Sequence, residues 1–226
     1  MCWTAAASLT LGVAGIATAV VLHKKGETSN FTIPLVYFSL MELLQFMSYS
    51  SINECALTVN TTLTLLSYIH IAFQPIFVNM FFMGRMAKPP SKRVKWWAYG
   101  AAALTTLILL VKLIPFDPSS ICTIGQTVCG PQMCTVSGSW HLAWHVPYYN
   151  WPIPGDGIIY YFFGAFLVPL IYGAGFNVLL AVLLGPVLAI VLTGGSPTEY
   201  PAVWCLISVG ILLSLVAYKF WPKTKK

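Results

Sequence analysis

Residues 65–111 read LLSYIHIAFQPIFVNMFFMGRMAKPPSKRVKWWAYGAAALTTLILLV, two apolar runs separated by a short connection that holds Arg85, Lys88, Lys92, Arg93 and Lys95. A helix needs about 20 predominantly apolar residues to cross a hydrocarbon layer; the first run has that length and the second reaches it when followed on to residue 115. Lysine and arginine beside such runs stay with the cytoplasmic leaflet. The passage therefore predicts a helix that descends to the cytoplasm, a basic inner turn, and a helix that returns.

The same pattern extends in both directions. Spans are predicted at about 3–22, 31–52, 59–83, 95–115, 157–174, 176–194 and 201–221. Gly173, Gly175 and Asn177 mark a tight turn that divides the longest apolar stretch. Seven crossings put eleven of the twelve basic residues on one face: Lys24 and Lys25, the five quoted above, and Lys219, Lys223, Lys225 and Lys226. Lys112 is the exception. By the positive-inside rule that face is cytoplasmic, so the amino terminus lies outside and the carboxyl terminus inside. Glu54, Asp117, Asp156 and Glu199 fall on the opposite face. The first apolar segment has no basic region before it and its positive charges follow it, so it is expected to stay as an anchor.

Composition leads to the same fold class. Hydrophobic residues make up 58% of the 226 and charged residues 8%, where a soluble domain carries about 25% charged residues. No stretch outside the spans is long enough to bury a core of its own. The expectation is an all-α integral membrane bundle of about seven helices, one domain over residues 1–226, with an outer loop at 116–156 before the fifth span. The net charge of +6 comes from residues that flank apolar segments and do not alternate with aromatics along a groove. Its counterpart is therefore lipid headgroups and not nucleic acid. The expected partners are the lipid bilayer and other membrane proteins or further copies of the chain.

Cysteine placement agrees with this topology. Cys2, Cys55, Cys122, Cys129 and Cys134 map to the outer side and Cys205 near the outer end of the last span. An oxidising compartment permits Cys55, Cys122, Cys129 and Cys134 to form two disulfides, in any of three pairings. The outer loop is the natural lid. Its Trp140, Trp144, Tyr148, Tyr149 and Trp151 have the composition of an interfacial belt. His141 and His145, four apart, would share one face of a helical turn, so a short helix on or in the outer leaflet is expected over 139–147. Asn60-Thr61-Thr62 is a glycosylation sequon placed too near the membrane to be used.

Some polar residues lie where lipid should be. Glu42 is the only acid in the middle of a span, and a charge there costs on the order of 2.5–3.5 kcal/mol. It stands thirteen residues before Cys55 and His70 fifteen after it, so on a helical hairpin both lie about 20 Å below the turn. Gln45 and Gln74 are one turn away from them, and Asn79 follows. One reading of this cluster is hydrogen-bonded glue between helices. The functional readings are a proton or cation relay through Glu42 and His70, or a zinc centre. His70, His141 and His145 are ligand types that zinc uses, with Glu42 as base and a water in the fourth position. The zinc reading requires the outer loop to re-enter the bundle. Pro75, Pro169 and Pro186 each remove a backbone bond and can kink a helix. Gly164, Gly173 and Gly185 permit close helix approach.

Two resemblances arise from these residues. Met41-Glu42-Leu43-Leu44-Gln45, His70-Ile71-Ala72-Phe73-Gln74-Pro75 and Trp140-His141-Leu142-Ala143-Trp144 resemble a family of polytopic membrane proteins classed as a domain of unknown function. That resemblance implies an architecture and no activity. Glu42, Ser48, His70 and the pair His141 and His145 also resemble, in order, the zinc-binding pattern of the alkaline ceramidase and adiponectin-receptor superfamily of seven-span proteins. It implies zinc on His70, His141 and His145. Two departures are visible: the pair precedes the fifth span instead of lying within the seventh, and Phe81 stands near the place of the expected aspartate.

Three function classes follow: a membrane-embedded metal-dependent hydrolase of a lipid amide or ester, a proton- or cation-coupled transporter or channel-like protein, and a structural subunit of a larger membrane complex. No nucleotide-binding loop, Ser/His/Asp spacing or haem CxxCH is present.

Overall fold

A computed structural model describes residues 3–86, 88 and 90–220, the last six of these as backbone only. Cys2, Lys223, Lys225 and Lys226, used above for topology, lie outside the described residues, as does the side chain of Lys219.

Helix α1 (Ala5–Lys24) starts where the Thr4 hydroxyl accepts from the Ala7 N–H, and it ends on His23 and Lys24, cations at the negative pole of the helix. It packs along α2 (Ser29–Ser48). A Cβ at Gly12 or Gly15 would run into Leu43 or Ser39 of α2, so small residues set the closeness of this pair. Helix α3 (Thr58–Arg85) and helix α4 (Lys92–Val111, capped by the Ser91 hydroxyl) complete the amino-terminal half. Three further apolar helices follow: α5 (Gly157–Ile171), α6 (Gly175–Leu192) and α7 (Tyr200–Phe220). Among the described residues α1, α2 with its extension to Ser51, α3, α4 and α6 are long and apolar enough to cross a membrane. Helix α5 and the Tyr200–Ser214 part of α7 are shorter apolar helices.

Proline shapes α5 and α6. Each contains one wide turn with π-type hydrogen bonding, Phe163–Leu167 and Leu183–Val187. Pro169 follows the first and Pro186 lies within the second. A residue without an N–H leaves a rung of the ladder unfilled, and the helix absorbs the gap by widening. The turn expected between these helices is present and rests on Gly173, whose φ of 96° is costly for a residue with a Cβ. In α3 the carbonyls just before Pro75 are taken by side chains: Tyr37 donates to His70 O (2.5 Å) and Thr106 to Ala72 O (2.8 Å).

The loop between α4 and α5 is a cap, not a helix. Strands β1 (Cys134–Ser137) and β2 (Leu142–His145) form an antiparallel hairpin with Cys134 opposite His145 and Ser137 opposite Leu142. This corrects both the all-α description and the short helix expected over 139–147. The N–H groups of Trp144 and Val146 donate to Thr198 O (2.9 Å) and Val128 O (2.7 Å), so they do not close the turns that a helix over this segment would need. Residues four apart on extended backbone are about 13 Å from one another, so His141 and His145 do not form a helical pair.

Two disulfides fix the cap. Cys55–Cys134 ties the α2–α3 connection to β1 across 79 residues, and Cys122–Cys129 closes a loop of sequence separation 7. Cys205 is free and buried. Cap side chains continue the bundle's core: Leu142, Trp144, Val146 and Tyr148 pack with Met41, Tyr68 and Ala202. The expectation of an interfacial aromatic belt is therefore corrected at Trp144 and Tyr148, both about 1% exposed, while Trp151 remains exposed.

Candidate functional site

The cap enters the bundle through one carboxylate. Glu199, just before α7, is buried and accepts from the N–H groups of Ser139 (3.0 Å), Trp140 (2.5 Å) and His141 (2.6 Å) and from the Ser139 hydroxyl (2.9 Å). A Cβ at Gly138 would strike the Glu199 carboxyl, so the tight approach requires glycine there. The sequence reading placed Glu199 on the cap side but gave it no role. Its only local signal is the Ser137-Gly138-Ser139 stretch, which permits three successive N–H groups to converge on an anion.

Held this way, His141 reaches α2. Its Nε2 lies 2.7 Å from Gln45 Oε1 and its Nδ1 2.8 Å from the Tyr49 hydroxyl. The tautomer follows from the partners. The Gln45 amide nitrogen donates to Ala202 O (3.2 Å), which turns Oε1 toward the imidazole, so Nε2 carries the proton and Nδ1 accepts from Tyr49. Burial pushes the His141 imidazole down to about 3 and moves His145 in the same direction. The neutral form fits this hydrogen-bond pattern, with the Nδ1 lone pair taken by the Tyr49 hydroxyl and the Nε2 proton by Gln45.

Deeper in the bundle the predicted polar residues divide between separate partners. Gln74 accepts from the Tyr161 hydroxyl (2.7 Å) and donates to Cys205 Sγ (3.2 Å), and the Trp204 indole donates to Tyr161 (3.1 Å). Asn79 donates to Pro75 O and Gly164 O, joining α3 to α5 where a Cβ at Gly164 would collide with Thr105. These contacts between helices are interhelical glue. His70 instead stacks on Tyr37 with ring centroids 3.9 Å apart, and its Nε2 is buried without a partner.

Glu42 differs from the rest. It is fully buried, and neither carboxylate oxygen receives a hydrogen bond. The Ser8 hydroxyl of α1, which accepts from the Trp3 indole (3.1 Å), interacts with the carboxyl short of hydrogen-bond geometry. Glu42 lies on α2, and α1 and α7 both pack against that helix.

The three histidines of the predicted zinc set are not gathered. Among the described residues no group of three or more His, Cys, Asp or Glu side chains could hold a metal ion. His141 spends both ring nitrogens on Gln45 and Tyr49, His145 sits on β2 opposite Cys134, and His70 faces Tyr37. Among the described residues, the arrangement lends no support to the ion that the superfamily resemblance implies.

Two other features of the sequence find their explanation. Lys112, the one basic residue on the wrong side of the charge pattern, donates to Asn150 Oδ1, Ile153 O and Gly155 O under the cap (3.2, 2.8 and 2.9 Å). Asn60 of the sequon is buried, donating to Ser51 O and Thr135 O and accepting from the Thr135 N–H. With Asn53, which pairs with Ser137 through both its amide atoms, it extends the hydrogen-bonded edge of β1.

The arrangement defines a class: a helical protein with membrane-length apolar helices, closed at one end by a disulfide-tied cap and carrying an unpaired carboxyl in its interior. Within that class, the chain belongs to the family of unknown function DUF5765, whose sequence profile matches residues 6–224. No curated protein and no solved structure matches it.

Proposed function

We propose that the chain is a seven-span membrane protein, amino terminus outside and carboxyl terminus cytoplasmic, in which Glu42 is the proton-binding centre of a transporter- or channel-like protein. Support for seven spans comes from the two shorter apolar helices beside the five of membrane length. Support for the orientation comes from Lys24, Lys25 and the Arg85–Lys95 cluster gathering at the end opposite the disulfides.

The observation that carries the functional reading is the absence of any hydrogen bond to the buried Glu42 carboxyl. A residue retained to glue helices together would make such bonds, as Gln45, Gln74 and Asn79 do. An acid whose one polar neighbour, Ser8, falls short of a full hydrogen bond contributes little to helix association and costs several kcal/mol as a bare charge. Binding a proton removes that cost, so occupancy of this carboxyl switches the local electrostatics among α1, α2 and α7. The Ser8 hydroxyl of α1 is the group positioned to respond.

Reconstitution into vesicles containing a pH-sensitive dye tests the reading. Wild type is expected to carry protons under an imposed gradient and Glu42→Gln to lose that flux. Flux absent from wild type, or unchanged in the variant, ends the proposal. The metal-dependent lipid hydrolase is left with the sequence pattern alone as its support, because no group of three ligating side chains is found among the described residues. Partnership with other membrane proteins remains compatible with either reading.

A further inference from the structure

Helices α1, α2 and α3 leave an open groove of about 460 Å³ at the end where His23 and Lys24 lie. Its floor is one stripe of α2: Ile33, Val36, Tyr37 and Leu40 recur at the three- and four-residue spacing of a single helix face. Phe77 of α3 forms one wall and Val20 of α1 the other. The floor cannot collapse to fill the space. Tyr37 is clamped between the rings of His70 and Phe77, centroids 3.9 and 3.6 Å away, and its hydroxyl is bound to His70 O.

The two ends of the groove differ in chemistry. Towards Leu40 it is wholly apolar, whereas at the other end the exposed His23 and Lys24 stand at its mouth and no acidic side chain lines it. Glu27 belongs to a neighbouring hollow that it shares with Arg85. A long apolar trough with a cation at its mouth matches an amphiphile that has a hydrocarbon chain and an anionic head. A basic group at the cytoplasmic surface selects anionic headgroups.

We propose that this groove is a binding site for one anionic phospholipid of the cytoplasmic leaflet, an acyl chain lying on the Ile33–Leu40 stripe and the headgroup phosphate on Lys24. The assignment of leaflet rests on the topology proposed above. The acyl chain replaces solvent or void against Ile33, Val36, Leu40 and Phe77, and Lys24 supplies the headgroup preference.

The full chain is reconstituted with phosphatidylcholine and phosphatidylglycerol in equal amounts, and lipid retained through native mass spectrometry is counted. One phosphatidylglycerol is expected to be retained in preference to phosphatidylcholine. Lys24→Gln is expected to lower that preference about five-fold, the contribution of one lysine at an anionic surface. Leu40→Trp, which fills the trough, is expected to abolish retention. Because Lys24 is exposed, the first variant tests the site even if the second does not fold. Equal retention of both lipids, or retention indifferent to Lys24→Gln, overturns the groove proposal. The topology is read separately, by labelling Lys24→Cys with an impermeant thiol reagent. Labelling from the outer side overturns the leaflet assignment and the proposed orientation together, whereas inner labelling without lipid selectivity overturns the groove alone.

Discussion

His141 Nε2 donates to Gln45 Oε1 across 2.7 Å, joining the cap to α2 through residues 96 apart in the chain. The bond brings the cap to within one helical turn of Glu42, so the candidate proton site has a hydrogen-bonded roof and not an open mouth. Most predictions about stability follow from how that roof is held.

Glu199 is the first point of attachment. Replacement by Ala strands the buried His141 N–H and the part-buried N–H groups of Ser139 and Trp140, and is expected to destabilise the protein by on the order of 2 kcal/mol. Hydrogen exchange should then rise across 138–145 before it rises in α3. A variant with unchanged exchange in that segment would show that the cap is held elsewhere.

Acid should loosen the cap. His141 and His145 both stay neutral in the folded cap at pH values where an unfolded imidazole, near 6.5, takes up a proton. The unfolded chain then binds more protons than the folded one, so stability is fully present above about pH 6.5 and falls as the pH drops toward 3. Thermal midpoints measured against pH are expected to decline through this window, less steeply in His141→Asn. Parallel curves for variant and wild type would exclude His141 as the cause.

The two disulfides should differ in worth. In the chain-entropy view, opening Cys55–Cys134 with its separation of 79 costs about 4.5 kcal/mol, and opening Cys122–Cys129 with its separation of 7 costs about 2.5 kcal/mol. Pairwise Cys→Ser variants compared by thermal unfolding check the order. Non-reducing peptide mapping checks the connectivity, and a Cys55 peptide linked to Cys122 or Cys129 would refute the fold of the cap.

Glu42→Gln should cost little stability, because no hydrogen bond to the carboxyl is lost. An unchanged or raised melting temperature in detergent is expected. A fall equivalent to 2–3 kcal/mol, roughly the worth of a charged hydrogen bond, would mean that the carboxyl is structural and would count against the proton-site reading.

Gly185→Ala should weaken the junction of α6 and α7. The added methyl would overlap the Trp204 ring, and such overpacking typically costs about 1–3 kcal/mol. A variant as stable as wild type would show that Trp204 can move, which its bond to Tyr161 opposes.

Sequence alone was enough to place the apolar helices, the turn at Gly173 and the basic connections, because hydrophobic run length and charge placement are local properties that a bilayer reads directly. It also narrowed the disulfides to Cys55, Cys122, Cys129 and Cys134 and picked out the buried polar residues, since an acid or amide within an apolar run is conspicuous wherever the chain folds. Which cysteines pair, that residues 142–145 form a strand, that Glu199 anchors the cap, and that His70, His141 and His145 stay apart were decided by tertiary structure. The physical reason is that a four-residue spacing is shared by a helical turn and an extended strand. The choice between them fell to backbone distant in sequence: β1, Val128 O and Thr198 O take the backbone groups of this segment that a helix would pair internally.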